Sequence, residues 1–257
     1  MKRIMAAGNS ALLSELAAAR ALLAFDFDGT LAPIVAQRDE AQMRKVTARL
    51  FSRLCSLYPC AVISGRSRDD VIARLEGARV RRVIGNHGLE TGKGTEQHRE
   101  AMRRVLAPLR RALAGARGIE IEDKGGSLAV HFRRARRKRA ARALIARATR
   151  SLDTPLRIVP GIEVVNVVPA GAPHKGDALL AVQAALRADS ALYVGDDVTD
   201  EDVFGLQRRA GLVTVRVGTS RSSAATYCLR DQREIDALLE ALILRRDSPA
   251  KSRRETR

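Results

Sequence analysis

Ala21-Leu22-Leu23-Ala24-Phe25-Asp26-Phe27-Asp28-Gly29-Thr30 decides how this chain is read. The run Ala21 to Phe27 is predicted to be a strand buried on both faces, because an apolar stretch without alternation leaves no side for solvent. Side chains two apart in an extended segment point the same way, so Asp26 and Asp28 face one spot. Gly29 then allows a turn that other residues resist, which leaves both carboxylates at the open end of a sheet. Cleaving a phosphate ester requires a nucleophile, neutralisation of the phosphate oxygens and a group that protonates the departing oxygen. One ionised and one protonatable carboxylate can divide these tasks. A helix N-cap would account for either acid alone, but less naturally for the pair.

Four further apolar runs resemble the first: Cys60 to Ile63, Val80 to Ile84, Ala191 to Val194 and Leu212 to Val217. Helical patterns lie between them, at Ala41 to Leu57, Arg68 to Leu75, Gly176 to Arg187 and Glu201 to Arg209, after a helix over residues 9–20. That alternation predicts βαβ units around a parallel sheet, an α/β, Rossmann-like fold whose ligand crevice lies at the carboxyl ends of the strands. Residues 96–172 read differently: helix Glu96 to Ala114, strands Ile119 to Glu122 and Ser127 to Phe132, helix Ala135 to Arg150, strands Leu156 to Val159 and Val164 to Val168. This is an α+β module inserted as a cap into a core made of residues 1–95 and 173–245. Gly92 to Gly94 and Pro169 to Pro173 are the expected hinges, and a charged tail, residues 246–257, is expected to be disordered.

The polar residues after the strands are the candidate site. Gly195-Asp196-Asp197-Val198-Thr199-Asp200-Glu201 packs four acids just past a buried strand, and such a cluster calls for a counter-charge. Hard oxygen donors beside a phosphate suit Mg²⁺. Thr199 or Asp200 as the N-cap of the next helix explains one residue, not the group. Ser64-Gly65-Arg66 offers a hydroxyl, backbone N–H groups and a guanidinium to phosphate oxygens. Lys175 can offset a carboxylate nucleophile, although a lysine before a helix is usually only solvated. His87, in Asn86-His87-Gly88, belongs either to a simple turn or to a domain interface.

Composition sets the outer bounds. The chain's 257 residues suffice for a core domain and a smaller second one, and no apolar run approaches the roughly 20 residues that cross a bilayer. Lys2 and Arg3 resemble the start of a signal peptide, but Glu15 and Arg20 interrupt the apolar stretch that should follow. Three cysteines, Cys55, Cys60 and Cys228, have no CxxC spacing, which fits a reducing cytoplasm rather than a disulfide framework or zinc site. A net charge of +17 raises the question of a nucleic-acid partner. Aromatic residues make up only 3%, too few for base-stacking platforms, and most arginines, including the dense run Arg133 to Arg139, lie along helices as solvated faces do. A small-molecule ligand and a monomer are expected instead.

Taken in order, Asp26-x-Asp28-Gly29-Thr30, Ser64, Lys175 and Gly195-Asp196-Asp197 resemble the four motifs of the haloacid dehalogenase-like phosphohydrolase superfamily. Within it the chain is similar to the trehalose-6-phosphate phosphatases, through Asp26 to Val35, Ser64-Gly65-Arg66, Gly85-Asn86-His87-Gly88, Glu122-Asp123-Lys124, Ser127 to His131, Lys175-Gly176 and Gly195 to Phe204. The resemblance spans residues 20–240. It implies a nucleophile at Asp26, which also binds magnesium, and an acid/base at Asp28, whose backbone carbonyl is on the metal. It implies a third ligand at Asp196, oriented by Asp197 and Asp200, and phosphate-holding residues at Ser64, Gly65, Arg66 and Lys175. Glu122, Lys124 and Ser127 fall where the cap's sugar-binding signature lies, and the cap closes over the sugar. Asn166 stands where that family commonly has Glu, and Glu163 is not expected to replace it because it is an odd number of residues away along the strand. Sucrose phosphate or glucosylglycerol phosphate is therefore an alternative substrate, and an inactive nucleic-acid-binding protein is a further alternative.

Overall fold

The computed structural model describes residues 1–90, 95–161, 163–206 and 209–247. The chain forms two compact units, Leu89–His174 and the remainder on either side of it. The first boundary lies seven residues before the expected 95/96, and the second two residues after the expected 172/173.

In the first unit the chain runs β1 Lys2–Arg3, α1 Ser10–Ala18, β2 Ala21–Phe25, α2 Lys45–Leu57, β3 Cys60–Ile63, α3 Arg68–Arg74 and β4 Arg82–Ile84. The second unit holds α4 Thr95–Ala112, β5 Glu120–Asp123, β6 Leu128–His131, α5 Lys138–Arg150, β7 Leu156–Gly161 and β8 Val164–Pro169. The first unit then resumes with α6 Lys175–Ala185, β9 Ser190–Gly195, α7 Glu201–Phe204, β10 Leu212–Val217, β11 Tyr227–Leu229 and α8 Ile235–Asp247.

Seven strands of the first unit pair in parallel in the order β1-β11-β10-β9-β2-β3-β4. The double burial expected of β2 follows from its alternation. Ala21, Leu23 and Phe25 enter one apolar cluster with α1, α2 and α8, while Leu22 and Ala24 enter another with α6 and α7. Strand β9 divides likewise, with Leu192 and Val194 on the first side and Ala191 and Tyr193 on the second. Each strand thus carries two apolar faces, as helices on both sides of a sheet require.

The second unit is a four-stranded antiparallel sheet in the order β5-β6-β8-β7. Its helices cover one face, where Leu128, Val130, Val165 and Val167 pack with Met102, Val105 and Leu109 of α4 and Ile145 of α5. Residues directly opposite in antiparallel strands share a face. The row Glu122, Ala129, Asn166 and Val159 therefore lies on the other face.

Several boundaries differ from those expected. Helix α2 starts at Lys45 rather than Ala41, and ahead of it the Arg74 guanidinium binds the carbonyls of Asp39 and Ala41. Helix α5 starts at Lys138 rather than Ala135, whose N–H closes a turn on Phe132. Helix α7 ends at Phe204, short of Arg209. Residues 246 and 247, expected to belong to the disordered tail, are instead helical. Arg246 and Asp247 belong to α8, where Asp247 pairs with Arg53 at 3.0 Å. Residues 248–257 of the tail, and the hinge Gly92 to Gly94, lie outside the described residues. No helix among the described residues is long and apolar enough to cross a membrane.

Candidate active site

Strands β2 and β9 are hydrogen-bonded neighbours, and each ends at an acid. Asp26 directly follows β2 and donates its N–H to the Val194 carbonyl at 2.9 Å, while Asp196 follows the end of β9. Sheet pairing thus joins two carboxylates 170 residues apart in sequence. Between them stands the turn at Gly29, with φ at 76°. A Cβ at Gly29 would lie 2.1 Å from an Asp196 carboxylate oxygen, so no larger residue fits there without moving the acid.

Lys175, the first residue of α6, is buried and reaches both acids that flank it. Its Nζ is 2.7 Å from Asp26 Oδ2 and 2.7 Å from Asp200 Oδ1. Asp26 Oδ1 accepts the Phe27 N–H. Asp200 is fully committed: Oδ1 also accepts the Tyr193 hydroxyl at 2.7 Å, and Oδ2 accepts the Asp197 N–H at 2.8 Å. Asp196 is held more lightly, by Thr30 Oγ1 at 3.4 Å.

Carboxylate oxygens of Asp26, Asp196 and Asp200 lie within 4.8 Å of one another. Burial pushes Asp26 up to about 7 against the opposing pull of Lys175, and it pushes Asp196 up to about 8 with the help of the Asp26 and Asp200 charges. For Lys175, burial acts downward, but the Asp200 and Asp26 carboxylates outweigh it and hold the ammonium well above its usual range. One buried ammonium therefore does not balance the group, and carboxylates in such surroundings gain from a further cation. Hard oxygen donors with this surplus of negative charge fit Mg²⁺. Because Asp200 is occupied by Lys175, Tyr193 and a backbone N–H, Asp26 and Asp196 are the acids able to hold it, and Asp200 positions Lys175.

The loops after β3 and β4 supply the rest. Ser64 is buried, its Oγ accepting the Arg66 N–H at 3.2 Å. Asn86 N–H donates to the Arg66 carbonyl and His87 N–H to that of Ser64, so the two loops are zipped together. Asn86 and His87 both adopt left-handed backbone (φ 50° and 58°), which turns the His87 ring onto Gly65. A Cβ at Gly65 would meet that ring at 2.4 Å. His87 thus has a packing role within this unit.

Arg66 differs from expectation. Only 1% exposed, it donates from Nε and Nη2 to the two oxygens of Asp28, at 2.7 and 2.8 Å, and from Nη1 to Asp70 at 2.8 Å. Asp70 is held in turn by Arg74. The guanidinium expected on phosphate instead fixes the Asp28 carboxylate in a bidentate fork.

Three contributors escaped sequence reading. Arg216 of β10 donates to the Asp196 carbonyl at 2.6 Å and pairs with Glu201 at 3.1 Å, anchoring the acidic loop. A single arginine in the run Leu212 to Val217 was a usable signal. Tyr193, the one aromatic residue of β9, was another. Gln232, whose amide donates to the carbonyls of Thr30 and Leu31, gave none.

In the second unit, Glu122 Oε2 lies 2.9 Å from His131 Nε2, Ser127 is buried, and the Lys124 N–H bonds the Ser127 carbonyl across the β5–β6 turn. Asn166 is buried in β8, in the Glu122 row. Glu163 does not share its strand. It occupies the turn before β8 with φ 55° and pairs with Arg133 and Lys138. Strand parity therefore does not apply to Glu163, because it stands outside β8.

The profile of the trehalose-phosphatase family matches residues 24–233. The chain belongs to that family. It is 33% identical over 232 residues to the trehalose-phosphate phosphatase of Mycobacterium tuberculosis, an alignment covering 85% of this chain and 59% of that protein. It is 30% identical over 283 residues to the probable trehalose-phosphate phosphatase 9 of Oryza sativa, covering 94% of this chain and 75% of the relative. The chain thus spans little more than half the length of the mycobacterial relatives it matches. In fold it resembles the C-terminal domain of C. albicans trehalose-6-phosphate phosphatase, with a TM-score of 0.76 at 21% identity over 91% of this chain and 96% of the other. That likeness agrees with the expected α/β core and inserted α+β cap unit.

Proposed function

We propose that this chain hydrolyses trehalose 6-phosphate to trehalose and inorganic phosphate through a covalent phosphoryl group on Asp26. The observation that carries the reading is the buried Asp26–Lys175–Asp200 chain, with bonds of 2.7 Å, set beside Asp196 in a member of the trehalose-phosphatase family. Asp26 and Asp196, with the backbone carbonyl of Asp28, would hold Mg²⁺, whose charge offsets that of the phosphate oxygens.

A carboxylate oxygen of Asp26 attacks phosphorus as the bond from phosphorus to the sugar oxygen breaks, and the departing oxygen takes a proton from Asp28. Asp28 then removes a proton from water, whose oxygen attacks phosphorus, releasing phosphate and restoring the Asp26 carboxylate. Lys175 keeps Asp26 in place and ionised for attack. Ser64 and the N–H groups of its loop hold phosphate oxygens, while Arg66 serves as a positioning residue for Asp28. Glu122, Lys124, Ser127 and Asn166 recognise the sugar. Buried, unpaired Cys55, Cys60 and Cys228 suit a reducing cytoplasm, where we place the reaction, with a monomer as the working form.

The short, uncharged Asn166 favours a second reading, the same chemistry on another sugar phosphate. Phosphate release from trehalose 6-phosphate, sucrose phosphate and glucosylglycerol phosphate, with Mg²⁺ or with chelator, separates the two. Release is expected from trehalose 6-phosphate foremost and only with Mg²⁺. An Asp26→Asn protein that turned over at the wild-type rate would overturn the mechanism.

A further inference from the structure

The arginines of the run 133–139 are exposed, as expected of a solvated face, and the run also borders a pocket. The loop between β6 and α5 and the turn before β5 line an open pocket of about 610 Å³, with Arg117, Arg134, Arg136 and Arg137 around a floor of Ile119, Leu144 and alanines. Its walls are fixed by backbone bonds from Ile119 N to the Ala116 carbonyl and from Ala135 N to the Phe132 carbonyl.

The charges around it are unbalanced. Glu163 takes Arg133 and Lys138, and Glu120 takes Arg134 at 2.9 Å. Among the described residues no carboxylate is left for Arg117, Arg136 or Arg137, which remain exposed. Helix α5 begins at the same place. Its N-cap is Arg137, which makes no side-chain cap, and its first turn holds no acid. The N–H groups of a first helical turn lack partners within the helix, and that end carries the positive pole of the helix dipole. Three guanidinium groups placed there repel one another and the helix end, and a bound anion relieves both repulsions. The volume suits a small molecule. No aromatic side chain lines the cavity, so bases of a nucleic acid find no ring to stack on.

We propose that this cavity is a binding site for a compact small molecule bearing several phosphate groups, held by Arg117, Arg136 and Arg137. The site is lined wholly by residues of the inserted unit.

Isothermal titration of the full chain with sodium tripolyphosphate at physiological salt tests this. One molecule should bind per chain, with affinity falling at least about tenfold in Arg136→Ala/Arg137→Ala and again in Arg117→Ala, as loss of charge-assisted bonds requires. Arg103→Ala/Arg104→Ala on the exposed side of α4 removes the same charge and should leave affinity unchanged. Absence of saturable binding, an equal loss in the α4 variant, or undiminished binding in Arg136→Ala/Arg137→Ala each overturns the proposal. A single-stranded RNA that binds with the same arginine dependence, and more tightly than tripolyphosphate, would replace the small molecule with nucleic acid.

Discussion

Arg66 is where sequence type and structural role part most clearly. A guanidinium after a strand end in a phosphatase-like loop suggests a phosphate clamp, yet Arg66 donates to both oxygens of Asp28 and to Asp70. The two roles make different kinetic predictions. If Arg66 orients Asp28, Arg66→Ala should lower kcat by about a hundredfold with KM little changed, since misplacing a reacting group costs that order of rate. A raised KM at unchanged kcat in steady-state assays would return Arg66 to the phosphate. Asn166 poses the complementary question for the sugar. It lies in the same sheet row as Glu122, two strands away and on the face opposite the helices, so a longer acid there would leave the helix-packed face undisturbed. Asn166→Glu should raise kcat/KM for trehalose 6-phosphate relative to sucrose phosphate. An unchanged ratio would show that position 166 does not select the sugar.

Strands β9 and β10 hold the acidic loop from two directions. Strand β9 delivers Asp196 to the sheet end, and Arg216 of β10 reaches back to the Asp196 carbonyl and to Glu201. Glu201 in turn accepts the Ala224 N–H at 2.9 Å, which ties in the segment before β11. Removing this brace leaves the acids in place but their loop less fixed. Arg216→Leu should weaken Mg²⁺ binding by about 10- to 100-fold, the usual effect of losing a group that orients metal ligands, as measured by titration calorimetry. Retained affinity would show that pairing of β9 with β2 and β10 is enough to place Asp196.

For the molecule as a whole, the raised Asp26 and Asp196 groups link folding to pH. An acid whose folded value exceeds its unfolded one binds its proton more tightly in the folded state, so its stabilisation is complete below about 4 and is lost as pH rises through 7 to 8. Without divalent metal, Tm should fall between pH 5.5 and 8.5, and Asp196→Asn should flatten that fall. Mg²⁺ should raise Tm more at pH 8.5 than at 5.5, because it binds the ionised carboxylates. A Tm independent of both would mean that the acids are not a charge-strained group. Much of this was legible in the sequence because strands buried on both faces announce themselves as unbroken apolar runs, and Asp26, Ser64 and Asp196 each follow such a run. The cap strands were legible too, the expected Ile119 to Glu122 and Val164 to Val168 lying within a residue of β5 and β8. Helix ends were less so, since Ala41 and Ala135 are good helix formers whose backbone groups are claimed by distant or turn partners. The sequence by itself determined the α/β class and the identity of the acids, because burial periodicity and residue chemistry are local properties. Which acid carries Lys175, which one Arg66 restrains, and that the arginine run borders a pocket were decided only by tertiary structure, since hydrogen-bond partners and pockets depend on residues far apart in the chain.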